Sequence, residues 1–95
     1  FVARKQGADP KLLMVSDLGF NTYTSLLVTS RSHLKQKPEL VKKVVAASIR
    51  GWQKYLEAPD ETNAHIHKVN PEMDLDVLAY GATDLKPLCL PEGMA

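Results

Sequence analysis

The chain has 95 residues, with 12 Lys or Arg against 11 Asp or Glu and a formal net charge of +1. That length bounds it to one small domain, of the size that buries a modest share of its surface. Near-neutral charge excludes the electrostatic footprint of a nucleic-acid or anionic-membrane binder. A single cysteine, Cys89, excludes an internal disulfide or a cysteine metal cluster.

The opening FVARKQG reads as the end of a helix that stops at Gly7, a residue suited to a C-terminal cap. It has charges where the apolar core of a signal peptide should follow, and it begins like the middle of a helix, so the chain is expected to be cut from something longer. ADPK, residues 8–11, is a turn. LLMVS, residues 12–16, is a short apolar run that predicts a buried strand. DLGFN, residues 17–21, is a loop with Gly19 as a hinge candidate. TYTSLLVTS, residues 22–30, is rich in β-forming residues and predicts a second strand. Two such strands need partners from elsewhere in a longer chain or from a second copy.

RSHLKQK, residues 31–37, is a polar connection with room for a helical turn. The most regular stretch follows, KPELVKKVVAASIRGWQKYLEAP at residues 37–59. Pro38 suits the first helical position and Glu39 the positive end of the helix dipole. At about 100° per residue, Leu40, Val41, Val44, Val45, Ser48, Ile49, Trp52, Tyr55 and Leu56 share one half of the wheel, which predicts a core-packing helix. DETNAHIHKV, residues 60–69, predicts a short helix with acids in its first turn, and a last helix is expected from Asp74. Pro87, Pro91 and Gly93 predict an irregular tail.

VARKQGADPKLLMVSDLGFNTYTSLLVTS followed by KPELVKKVVAASIRGWQKYLEAPDET resembles the solute-binding proteins of ABC importers, in the NMT1/THI5-like branch. The resemblance covers most of residues 2–62. It implies an α/β fold: the C-terminal part of a two-lobed periplasmic binding protein, with two short strands followed by about three helices. Residues 1–20 would end the second lobe and approach the hinge, and residues 21–95 would return into the first lobe. The implied function is non-catalytic capture of a small polar solute (sulfonate, taurine, nitrate or a pyrimidine) in an interlobe cleft, with delivery to a membrane permease. No cofactor is implied, and the implied location is periplasmic or extracellular at the membrane. Two alternatives stand beside it: a thiamine-pyrimidine precursor synthase of the same fold, whose cysteine-rich motif is absent from these residues, and an α/β module that dimerises to complete its sheet.

At the crossing that the resemblance implies, Asn21, Tyr23 and Thr24 offer hydrogen bonds and an aromatic face, and Asp17 offers an acceptor for an amino group. These four are the candidate ligand-binding residues, set against a plain turn whose polar groups serve the backbone. His65 and His67 are expected as surface histidines, because residues two apart on a helix do not face together. Trp52 and Tyr55 are expected in the core, Lys35, Lys37, Lys42 and Lys43 on a solvated face, and Cys89, between Leu88 and Leu90, as a packed thiol.

Overall fold

The computed structural model describes residues 1–90, and its elements are local ones. They are α1 (Val2–Lys5), a 3-10 turn (Val15–Leu18), α2 (Arg31–Gln36), α3 (Pro38–Glu57), α4 (Asp60–Val69) and α5 (Leu75–Cys89). The helix ends follow their sequence signals. Gly7 takes φ +90°, and the amides of Gly7 and Ala8 donate to the carbonyls of Arg4 and Ala3 at 3.0 Å. This pair of bonds closes α1 as a Schellman-type cap, which a left-handed glycine permits at no steric cost. Nothing lies within 4 Å of a Cβ added at Gly7, so Gly7→Ala tests backbone strain alone. It is expected to cost about 1 kcal/mol locally, read as roughly fivefold faster hydrogen exchange at the Ala8 amide.

Ser30 caps α2, its hydroxyl accepting from the His33 amide at 3.1 Å. Pro38 occupies the first turn of α3 with Glu39 beside it, as the sequence predicts. Asp60 and Glu61 fill the first turn of α4. Asp74 is the N-cap residue of α5. Pro87 sits inside the last turns of α5 rather than breaking it, which corrects the expectation of an irregular tail from that point. Pro91 and Gly93 lie outside the described residues.

The α/β expectation is overturned. Among the described residues there is no strand and no sheet. Residues 12–16 run from extended backbone into the 3-10 turn, which Gly19 closes at φ +83°. Residues 22–29 form no regular element. Among the described residues, no backbone hydrogen bond between main-chain groups involves residues 9–13 or 20–29. The physical reason is that β-rich composition makes a segment fit a pleated surface without supplying one. A strand exists through its ladder, and neither segment finds a partner among the described residues.

The buried core is small. Among the described residues it consists of Leu56 from α3, Asn63 from α4, and Leu78 and Ala82 from α5. These four residues mark where the three helices meet, and α5 is the helix that packs on both α3 and α4. The chain exposes 8760 Å², where a compact protein of 10.5 kDa would expose about 5,400 Å². Its radius of gyration is 17.1 Å, against about 12 Å for a compact domain of this length. The excess surface is apolar along the irregular segment, where Leu13 is 92% exposed, and along the N-terminal two thirds of α3. The stripe on α3 is where the wheel places it, but only Leu56 of that stripe is buried; Trp52 is 51% exposed and Tyr55 is half-buried. Core packing is therefore wrong for Trp52 and right only in part for Tyr55.

Candidate functional site

The four candidate residues lie on one continuous segment. Asp17 is in the 3-10 turn, its amide donating to the Met14 carbonyl at 3.1 Å. Gly19 redirects the chain, and Asn21, Tyr23 and Thr24 follow on irregular backbone. All four are exposed, Tyr23 at 90%. Among the described residues, none of their side chains is engaged in a hydrogen bond or salt bridge. The segment thus presents an aromatic ring, an amide, a hydroxyl and a carboxylate to solvent over eight residues. Such groups can orient a polar solute once something encloses it; by themselves they do not exclude water. Phe20, 65% exposed and three residues before Tyr23, was passed over by the sequence reading. An aromatic directly after the glycine that turns the chain was the available signal.

Two apolar grooves lie away from this segment's polar groups, along α3. One of about 450 Å³ is lined by Ser48, Trp52, Tyr55, Thr62, Ile66 and Leu85. Trp52 and Tyr55 meet edge to face in its wall, with ring centroids 6.0 Å apart. The Ser48 hydroxyl is turned back onto the Val44 carbonyl at 2.8 Å, so it does not serve the groove. A second groove of about 600 Å³ runs between Leu27, the Ile49 and Trp52 side of α3, and Cys89. Cys89 is exposed in the last turn of α5, which corrects its expected role as a packed thiol.

The histidines separate on α4. His67 is half-buried, and its Nδ1 donates to the Met73 carbonyl at 2.6 Å, while His65 is exposed. Because a carbonyl only accepts, this contact fixes the proton on Nδ1 of His67 and ties α4 to the turn before α5. No group of three or more His, Cys, Asp or Glu among the described residues is arranged to hold a metal ion. Lys42 lies 3.4 Å from Glu39 one turn earlier, both exposed, so that part of the lysine cluster is a solvated ion pair of small energetic weight. No helix among the described residues is long and apolar enough to cross a membrane.

The sequence profile of the family described as NMT1/THI5 like matches residues 1–62, and the chain belongs to that family. The match includes α1, the candidate segment and α3. The chain is similar to the riboflavin-binding protein RibY of Chloroflexus aurantiacus, 40% identical over 58 residues, which cover 61% of this chain and 16% of that protein. The match thus spans less than a fifth of the length of that curated relative. No solved structure matches the chain.

Proposed function

We propose that this chain is part of a solute-binding protein of an ABC importer, working outside the cytoplasmic membrane, and that its contribution to the solute site is the segment from Asp17 to Thr24. The family match through residues 1–62 is the observation that carries the proposal, because it includes that segment. The protein acts as a binder rather than a catalyst. Transport by cleft closure asks only that the solute favour the closed state over the open one, and delivery then falls to a permease. The exposed apolar surface of residues 12–28 and α3 seats against the rest of the longer protein, which supplies the enclosure that the exposed segment lacks.

Among sulfonates, taurine, nitrate and planar heteroaromatics, the last class is favoured. Phe20 and Tyr23 supply ring faces for stacking, and Asn21 and Thr24 supply donors and acceptors for the polar edge of a fused or single pyrimidine ring. The printed name of the Chloroflexus relative, a riboflavin-binding protein, points the same way.

The test is calorimetric titration of the full-length protein with riboflavin, a hydroxymethylpyrimidine, taurine and nitrate. Binding of one of the two heteroaromatics is expected. Tyr23→Ala should weaken it by more than about tenfold, equivalent to about 1.4 kcal/mol. Unchanged affinity in Tyr23→Ala would remove the site assignment, and no binding of any of the four would remove the function.

A further inference from the structure

The segment that carries the candidate residues is anchored at its N-terminal end by one surface contact. Lys5 Nζ lies 2.9 Å from Asp74 Oδ2 and 2.9 Å from Asp76 Oδ2, across 69 and 71 residues of sequence. Phe1 stacks on Tyr80 one turn further along α5, with ring centroids 4.6 Å apart. Among the described residues, 9–13 and 20–29, between α1 and α2, make no backbone hydrogen bonds with other main-chain groups. Among the described residues, Lys5 and Phe1 therefore supply the side-chain ion pairs and ring stacking that join α1 to the helical body.

We propose that Lys5, Asp74 and Asp76 form an electrostatic latch that closes residues 8–30 into a loop, and that salt or acid opens it, freeing the loop that bears Asp17, Asn21, Tyr23 and Thr24. Four features suit a latch better than a fixed joint. Its charges are exposed, so it is weak and screened by salt. One cation faces two carboxylates, so neutralising both acids leaves Lys5 with no partner among them. The Val77 amide donates to Asp76 Oδ1 at 2.8 Å, holding one jaw in place at the start of α5. The Phe1–Tyr80 stack sets the docking geometry without depending on charge.

The direction of the pH response follows from the groups at the contact. The hydrogen bond to Asp74, then that to Asp76, raises the Lys5 ammonium above its ordinary value. The Lys5 hydrogen bond lowers Asp76 below the ordinary carboxylate value. A depressed carboxylate contributes above its unlatched value and is lost as pH falls through its latched one; a raised lysine contributes below its unlatched value and is lost as pH rises through its latched one. The latch is therefore closed between the carboxylate and lysine ranges. Glu72, beside Lys5 and Asp74 in the same groove, and Arg4 on α1 are the other charged groups nearby.

Amide hydrogen exchange on the chain at neutral pH and low salt, followed residue by residue by NMR, tests this directly. Exchange at Gln6 and Ala8 should accelerate at least threefold in 1 M NaCl. The Asp74→Asn, Asp76→Asn double variant should show the same acceleration at low salt and no further salt response. Because changes at the start of α5 can also disturb that helix, the charge reversal Lys5→Asp with Asp74→Lys and Asp76→Lys is the second arm, expected to restore slow exchange. Exchange insensitive to both salt and the double variant would overturn the latch. So would failure of the reversal to restore protection while the Leu78 amide remains as slow as in the parent.

Discussion

Leu56→Ala should destabilise the chain by about 3 kcal/mol, within the range for a buried leucine whose site cannot fully collapse. Leu56 is 4% exposed and is the one residue of the long α3 stripe that the fold covers. It lies where α3 meets the other two long helices, so its loss removes contacts that no neighbouring apolar residue replaces. The rest of the apolar core among the described residues is Leu78 and Ala82. With so little buried, a loss of this size is a large share of the 5–15 kcal/mol typical of folded domains. Urea unfolding followed by circular dichroism measures it. A cost under 1 kcal/mol would mean that the junction of α3, α4 and α5 is not what holds the helices together. Ile49→Ala is the control: it shares the stripe but is exposed, and is expected to change stability by less than about 1 kcal/mol.

Asn63→Ala should cost about 2 kcal/mol, the usual penalty for leaving a hydrogen-bonding partner unmatched inside a protein. Asn63 is the buried polar residue of the core, and its Oδ1 accepts from the Tyr55 hydroxyl at 2.8 Å. The bond links α3 to α4 eight residues apart, across the Pro59 turn. Removing Asn63 leaves the half-buried Tyr55 hydroxyl without that acceptor. Tyr55→Phe removes the donor instead, and the double variant should cost less than the sum of the singles by about 1 kcal/mol. Additive costs would show that the hydrogen bond contributes nothing and that packing alone explains both losses.

Much of the helical structure was legible in the residues. The span of α3 follows from Pro38 and Glu39 at one end, Pro59 beyond the other, and a sustained apolar period between them. The bounds of α4 and the cap at Gly7 were equally readable, because a cap or a helical turn is made by residues a few positions apart. The two strands were misread for a related reason. LLMVS and TYTSLLVTS have the composition of strands, but composition does not reveal whether a ladder partner stands alongside. The loop around Gly19 was legible as far as Asn21, whereas Tyr23 and Thr24, read into the second strand, stand on irregular backbone, and the exposure of all four candidates was not legible. Leu88 and Leu90 suggested a packed Cys89, but Leu88 is itself exposed in the last turn of α5, and the thiol is exposed with it. Asn63 is buried among the described residues, which the polar run DETNAH around it does not signal.

By itself, then, the sequence determined the bounds of α3 and α4, the start of α5 and, through the order of motifs across residues 1–62, the family to which the chain belongs. Both are written in local spacing: hydrogen bonds from one turn to the next, caps a few residues apart, and a residue order that survives without any knowledge of contacts. The tertiary structure decided which part of an apolar stripe is covered, that residues 12–16 and 22–29 find no sheet among the described residues, and that Lys5 meets Asp74 and Asp76. Those outcomes depend on pairs far apart in the chain. Their energies are set by distance and burial in space, which no local pattern of residues records.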